Sequence, residues 1–271
     1  MLGDASPSDW FPLAVPDPRA ALSLFCFPHA GAGASTFFRW TTGRGEPVDV
    51  VPESIDHEPI DVVPVQLPGR EERRDAPFRR LVPLSDALAD KLEPHLDRPF
   101  ALFGHSLGAW EIFELSRRLR ERGRPAPEHL FVSAAAAPQR PRRHEPLCEL
   151  DDEAFLAALE ARYGVAAPAL EEYRELIAAR LPVLRADVEL VETYEYREEP
   201  PLACPISVLG GRDDRSVSTA ELADWRAQTS ADFSQRQFAG DHFYLETVRD
   251  DVLRLVASRL APTLKRIQEG G

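Results

Sequence analysis

The sequence contains little sulfur and no long apolar run. It has three cysteines and one methionine among 271 residues. Cys26, Cys148 and Cys204 are far apart and odd in number, which argues against a disulfide framework or a metal site. No run of about 18 apolar residues occurs, so we expect no membrane span. The N-terminus lacks the basic start and apolar centre of a secretory signal. These absences favour a protein of the reducing cytoplasm.

Basic residues are fewer than acidic ones. Lysine and arginine total 32 against 45 acidic residues, which gives a formal net charge of −13. This balance argues against nucleic-acid binding as the main task. Any acidic protein partner would have to meet a local cluster of basic residues. The remaining composition is ordinary, with 44% hydrophobic and 28% charged residues, and allows a sizeable core.

Short apolar runs alternate with stretches of helical period along most of the chain. The runs that we interpret as buried strands cover residues 22–27, 59–65, 100–104, 129–135, 205–210 and 232–238. This alternation predicts an α/β fold with a mostly parallel sheet covered by helices on both faces. In such sheets, functional groups gather at the carboxyl ends of the strands.

Residues 138–201 depart from that alternation. They contain helical period over 153–163, 170–181 and 183–194 and no strand-like run. We therefore expect a core formed by residues 1–137 and 202–271, with 138–201 inserted as a helical lid.

A short echo lies before the second predicted strand. The segment PVDVVPE (47–53) resembles PIDVVPV (59–65). We favour the second copy as the strand, because it leads directly into a turn. The first copy would be a loop, a hairpin or an alternative strand within an insertion around residues 43–61.

The stretch FALFGHSLGAW (100–110) carries the strongest functional signal. A G-x-S-x-G turn after an apolar run and before a helix predicts the nucleophile elbow of an α/β-hydrolase, with Ser106 at its apex. Gly104 and Gly108 fit this interpretation, because strand and helix backbones approach closely there. The helix N-terminus would favour negative charge developing at the serine.

A serine nucleophile needs a base, and the base needs an acid that holds its tautomer. In this fold the chain order is serine, acid, histidine. His242 combines that order with a loop after a strand, whereas His129 starts a strand and His144 lies in a basic segment. For the acid we prefer Asp214, which suits a turn leaving a strand, and keep Asp213 as the alternative.

Acyl transfer also requires donors for the oxyanion. The N–H of Leu107, directly after the serine, is one candidate. The second should come from the small-residue loop PHAGAGA (28–34), where we prefer Ala30 and hold Gly31 in reserve. The histidines and cysteines lack metal-ligand spacing, so we predict no metal.

With these residues in hand, the chain resembles the type II thioesterases of polyketide and nonribosomal peptide synthesis. The segments that carry the resemblance are LFCFPHAGAGAS (24–35), PVQLPGREERR (64–74), LFGHSLGAWEIFEL (102–115), LPVLRADVELVETYEY (181–196), ISVLGGRDDRSV (206–217) and FAGDHFYL (238–245). Two departures are Leu107, where methionine is common, and the insertion around residues 43–61.

The resemblance implies an α/β-hydrolase core with a helical lid. It implies hydrolysis of acyl groups from the phosphopantetheine thioesters of acyl or peptidyl carrier proteins, which edits stalled or misprimed synthases. Ser106, Asp214 and His242 match the family's triad, and the Leu107 and Ala30 amides match its oxyanion hole. No cofactor is implied beyond the arm on the partner, and we expect a monomer.

Docking of an acidic carrier protein on an acidic chain requires local positive charge. The candidate arginines are Arg140, Arg142, Arg143, Arg70, Arg73, Arg74, Arg79 and Arg80. Two other interpretations of the chain remain. One is an acyltransferase or broad esterase with the same triad, and the other is a non-catalytic carrier-binding module, against which the intact triad argues.

Overall fold

The computed structural model describes residues 9–12, 19–41, 60–141, 144–164 and 174–270. Its centre is one parallel sheet with the strand order β2-β1-β3-β4-β5-β6. The strands are β1 (Leu22–Phe27), β2 (Ile60–Pro64), β3 (Phe100–His105), β4 (Leu130–Ser133), β5 (Ile206–Gly211) and β6 (Phe233–Phe238). The predicted α/β class, with its mostly parallel sheet, is confirmed.

The sheet is covered on both faces, as its apolar strands require. Every residue of β1, β3, β4 and β5 is buried. Along β1, Phe25 and Phe27 face one apolar cluster, while Leu24 and Cys26 face the other. The first cluster includes residues of α1 (Leu81–Leu92) and α2 (Leu107–Glu121), and the second includes residues of α6 (Arg249–Gly270). A two-residue alternation therefore places helices on opposite faces.

Among its described residues, the segment 138–201 contains two helices, α3 (Asp152–Tyr163) and α4 (Arg174–Glu192). They share a separate apolar cluster that contains Leu147, Phe155 and Leu181. The predicted division into helices 170–181 and 183–194 is wrong, because α4 continues through Pro182. A proline removes one helical hydrogen bond, but packing of Leu181, Leu184 and Val188 in the separate apolar cluster holds the helix together.

Two shorter elements lie between β5 and β6. Helix α5 (Thr219–Ala223) is followed by a 3₁₀ turn over Asp224–Gln228. The second copy of the echoed segment supplies β2, as predicted, while the first copy (47–53) lies outside the described residues. Within the described ranges, no helix combines the length and apolar character needed to cross a membrane.

Candidate active site

Ser106 occupies a strained turn between β3 and α2. Its backbone angles are φ 56° and ψ −113°, a left-handed conformation that costs a non-glycine residue about 1–3 kcal/mol. A side chain at Gly104 would overlap the Gly108 backbone, and one at Gly108 would overlap the carbonyl of Phe27. The two glycines therefore permit the close approach that the sequence pattern predicted.

The structure brings Ser106, His242 and Asp214 together. Asp214 follows β5, and His242 follows β6. The His242 Nε2 atom lies 3.0 Å from Ser106 Oγ, and its Nδ1 atom lies 2.9 Å from Asp214 Oδ2. A carboxylate at Nδ1 holds the imidazole tautomer that leaves Nε2 free to accept the serine proton.

Asp214 is held by Ser216, a residue that the sequence analysis missed. The backbone N–H and the hydroxyl of Ser216 donate to Asp214 Oδ1 at 2.8 Å and 2.7 Å. Burial opposes ionisation of Asp214, but hydrogen bonds from His242 and Ser216 outweigh it and lower the pKa of the carboxyl. Asp213, the alternative acid, is exposed and does not reach His242. The Asp-x-Ser spacing of a side-chain-capped turn was the available signal for Ser216.

Two further histidines lie beside His242. The ring of His105 lies 5.4 Å from that of His242, and the ring of His29 lies 5.8 Å from that of His105. Burial lowers the pKa of His105 well below its usual value and that of His29 to about 4. His105 Nδ1 is hydrogen-bonded to Ser133 Oγ at 2.8 Å. Both rings are therefore neutral near pH 7 and add no positive charge beside His242.

The two candidate oxyanion amides lie at the same edge of the sheet. Leu107 begins α2 directly after the serine, and Ala30 lies in the loop after β1. Gly31, the reserve candidate, donates its N–H to Asp187 Oδ2 at 2.7 Å and is therefore occupied. Within the described chain, the N–H groups of Ala30 and Leu107 donate to no acceptor. The arrangement favours Ala30 over Gly31.

The helical segment 138–201 also reaches this site. The ring of Tyr163, the last residue of α3, lies 4.9 Å from the ring of His242. Asp187 of α4 contacts the loop that contains Ala30. Neither residue was predicted to belong to the site. Asp187 lies in the LPVLRAD segment that supported the family resemblance, so a signal was present for it.

The predicted docking roles of Arg70 and Arg73 are wrong. Arg70 is 5% exposed, and its guanidinium pairs with the buried carboxylate of Asp187. The Arg73 side chain is 9% exposed, lies over the Trp10 ring and donates to the carbonyl of Gln66 at 2.9 Å. Neither guanidinium is available to a protein partner. Basic charge in a sequence does not reveal which side chains fold inward.

The other predicted docking arginines differ in exposure and in ion pairing. Arg74 is exposed, and no partner for it occurs among the described residues. Arg140 is partly exposed and pairs with Asp224. Exposed Arg79 and Arg80 each donate to Glu189 of α4 at 2.7 Å. Arg142 and Arg143 lie outside the described residues.

Comparisons with known proteins agree with this geometry. The family model described as "Thioesterase domain" matches residues 23–260. The gramicidin S biosynthesis protein GrsT of Aneurinibacillus migulanus is 36% identical, over 93% of each chain. The thioesterase PikA5 of Streptomyces venezuelae is 36% identical, over 96% of this chain and 90% of its own.

A solved thioesterase structure also matches this chain over nearly its full length. The type II thioesterase BorB from the borrelidin biosynthetic cluster superposes with a TM-score of 0.77 at 35% identity. The superposition covers 94% of this chain and 97% of BorB. Sequence and fold match over nearly the full length, and the chain belongs to the thioesterase family.

Proposed function

We propose that this thioesterase releases acyl groups from phosphopantetheine thioesters carried by acyl or peptidyl carrier proteins. It would thereby clear stalled or misprimed polyketide or nonribosomal peptide synthases. The observation that carries the proposal is the hydrogen-bonded relay from Ser106 through His242 to Asp214. The names of GrsT and BorB place those relatives in the biosynthesis of gramicidin S and borrelidin, which supports this substrate class.

Acylation begins at Ser106 Oγ, which attacks the thioester carbonyl carbon while His242 Nε2 accepts the hydroxyl proton. The carbonyl π electrons move to oxygen, and the N–H groups of Ala30 and Leu107 stabilise that oxyanion. Collapse of the tetrahedral species breaks the C–S bond. The pantetheine sulfur leaves with the proton held by His242, and the acyl group remains on Ser106.

Deacylation repeats these steps with water. His242 Nε2 takes a proton from the water that attacks the acyl-Ser106 ester, and the same two amides stabilise the oxyanion. Cleavage of the ester returns the proton to Ser106 Oγ and releases the fatty or peptidyl acid. The chain's own residues supply every group in this scheme, and the pantetheine arm arrives on the partner.

The helical segment 138–201 acts as a lid in this proposal, over a core formed by residues 1–137 and 202–271. Its separate apolar cluster and the contact of Tyr163 with His242 support that role. A cover over the site would exclude water from the acyl chain and strengthen the electrostatic interactions beneath it.

Carrier proteins would dock near Arg74 and Arg140, exposed members of the predicted set that are not tied to α4, together with Arg142 and Arg143 of the same sequence cluster. Exposed positive charge steers an acidic partner mainly through its association rate. We propose that the enzyme works in the cytoplasm as a monomer, where cytoplasmic synthases would present their carriers.

The test is incubation with a panel of acyl carrier proteins followed by intact-mass analysis. We expect loss of the acyl mass and release of the free acid, with Ser106→Ala inactive. Transfer of the acyl group to an added thiol or amine in place of water would favour an acyltransferase. A protein that leaves every carrier acylated, and whose Ser106 resists a fluorophosphonate, would be a non-catalytic carrier-binding module.

A further inference from the structure

We propose that Asp187 and Arg70 are positioning residues of the oxyanion hole. Through them, helix α4 holds the loop 28–34 in the conformation that aligns the Ala30 N–H. The oxyanion hole would then be complete only when α4 is seated on the core. This inference rests on the proposed function, because it assigns Ala30 to the oxyanion.

Asp187 joins α4 directly to the loop. Its side chain is 1% exposed, and its Oδ2 atom accepts the Gly31 N–H at 2.7 Å. Gly31 follows Ala30, so this hydrogen bond fixes the peptide unit next to the proposed donor. Both Asp187 carboxylate oxygens also contact Nη2 of Arg70. One carboxylate thus links the helix, the loop and the arginine.

Arg70 holds the same loop from its other side. Its Nε atom donates to the carbonyl oxygen of Ala32 at 2.8 Å, and its Nη1 atom donates to that of Pro68 at 2.8 Å. The loop is therefore held at two successive residues, through the Gly31 N–H and the Ala32 carbonyl. A guanidinium has a rigid fork of donors, which suits it to fixing several groups at once.

Helix α4 also packs directly on the loop. Gly31 has a φ of 76°, and a side chain there would place its Cβ 3.1 Å from Leu184 Cδ1. Leu184 and Asp187 are three residues apart and lie on one face of the helix. Glycine at position 31 therefore satisfies both the left-handed turn and the close approach of α4.

The chemistry of the pair indicates a geometric role. A guanidinium remains protonated in proteins, so Arg70 cannot serve as a proton shuttle. Taking both charges out of water costs several kcal/mol per ion, and apolar side chains of similar volume could fill the space as stably. What apolar residues could not supply is the acceptor for Gly31 and the donor for Ala32.

The same helix offers a matched control. Glu189, two residues beyond Asp187, accepts from Arg79 and Arg80 and also links α4 to the core. It makes no hydrogen bond to the loop 28–34 within the described residues. Glu189→Gln therefore removes a helix-to-core ion pair without touching the oxyanion loop.

The test compares Asp187→Ala, Asp187→Asn and Glu189→Gln on an acyl carrier protein and on a small acyl thioester. We expect Asp187→Ala to lower kcat about 10- to 100-fold on both substrates with KM little changed, since the loss arises in the transition state. Asp187→Asn, which keeps an acceptor for Gly31, should recover part of that loss. Glu189→Gln should retain kcat within about twofold.

A second measurement separates oxyanion alignment from general damage. A trifluoromethyl ketone forms a tetrahedral oxyanion adduct with the serine, so its affinity should fall in step with kcat/KM in the Asp187 variants. If Asp187→Ala does not fold, Arg70→Lys takes its place, because it keeps the charge but not the fork of donors. Its kcat and its ketone affinity should fall together while KM changes little.

Two results would overturn the proposal. One is parental kcat and ketone affinity in folded Asp187→Ala, and the other is a change confined to KM. Failure of the proposed function has a different signature. The parent enzyme would bind the ketone but leave carrier thioesters intact, and the Asp187 variants would still report ketone affinity.

Discussion

Two buried carboxylates in the active-site region pair with nitrogen-bearing side chains, and they do so to different ends. Asp214 contacts His242, whose other nitrogen faces Ser106. Asp187 contacts Arg70, whose remaining donors bind backbone carbonyls. An imidazole can accept and release a proton near neutral pH, whereas a guanidinium cannot. The first pair is suited to proton transfer and the second to holding a loop.

The difference also concerns where the pairs lie in the chain. Asp214 and His242 both follow strands of one sheet, so the sheet brings them together. Asp187 lies on α4, in the segment 138–201, and Arg70 lies in the turn after β2. The second pair therefore exists only when the helical segment is packed on the core. The following substitutions test these two pairs and the groups around them, starting from the largest expected effect.

Asp214→Asn should remove most of the activity. The amide leaves the geometry in place but favours the wrong imidazole tautomer, so we expect kcat to fall by about 10³- to 10⁴-fold. Asp213→Asn, at the exposed neighbouring position, should stay within about twofold of the parent. Steady-state kinetics on a small acyl thioester gives both values. Equal losses of kcat in the two variants would contradict the assignment of Asp214 as the acid of the triad.

Glu111 adds a third carboxyl near the Asp187–Arg70 pair. It is fully buried on α2, and neither oxygen has a hydrogen-bond partner among the described residues. Burial raises the pKa of Glu111 to about 8, although Arg70 opposes the shift. The carboxyl is therefore protonated at neutral pH, and Asp187 remains the anion that Arg70 contacts.

This raised pKa predicts a stability that falls as pH rises. Between the ordinary value of 4.5 and about 8, the unfolded chain releases a proton that the folded protein keeps. The free energy of unfolding should drop by about 1.4 kcal/mol per pH unit, roughly 5 kcal/mol in all, and level off above pH 8. Glu111→Leu should lack this slope, as measured by urea unfolding from pH 5 to 9.

Glu111→Gln is the matched control for ionisation, because it keeps the shape and polarity of the side chain. Like Glu111→Leu, this variant has no carboxyl to ionise at position 111. The difference between its unfolding free energy and that of the parent should therefore change with pH as it does for Glu111→Leu. Parallel curves for the parent and both variants would show that Glu111 ionises alike in the folded and unfolded states.

These same residues show which parts of the fold and of the site are predictable from the sequence. The α/β fold was predictable because strand, turn and helix patterns are local in the chain. Ser106 and its glycines, and the loops that carry Asp214 and His242, were marked by short-range patterns at strand ends. Their meeting then follows from one rule, that the carboxyl ends of parallel strands share an edge.

Long-range burial was not predictable in the same way. Arg70, Arg73 and Arg74 belong to one basic run in the sequence. Arg70 is buried because it pairs with Asp187 of α4, and Arg73 is covered because it lies over the Trp10 ring, whereas Arg74 stays exposed. Glu111 is buried on α2 and interacts electrostatically with Arg70 and Asp187, and no local pattern marks it. The continuous helix through Pro182 likewise depends on tertiary contacts that outweigh a local preference.

Ser216→Ala tests how firmly the proton-transfer pair must be held. The variant loses the hydroxyl that donates to Asp214 but keeps the backbone N–H of residue 216. A lost hydrogen bond to a charged group is worth about 1.5–3 kcal/mol, so we expect the pKa of Asp214 to rise and kcat to fall about 10- to 100-fold. Ser218→Ala, at a helix cap nearby, is the control. An unchanged pH–kcat profile in Ser216→Ala would show that Asp214 needs no such support.

The smallest expected effect belongs to the exposed arginines, and it contrasts them with Arg70. Arg74 is exposed on the surface near the buried pair, so Arg74→Glu should raise KM for an acyl carrier protein about 3- to 10-fold and leave kcat unchanged. A small acyl thioester carries no acidic surface, and its KM should not move. Screening predicts that the effect of Arg74→Glu on KM shrinks as the salt concentration rises from about 0.05 to about 0.5 M.

Arg140→Glu should change KM in the same direction but more weakly, because Asp224 already offsets the charge of Arg140. Equal changes on both substrates would mean that these arginines act on the active site itself, as Arg70 does, and not on a docked carrier.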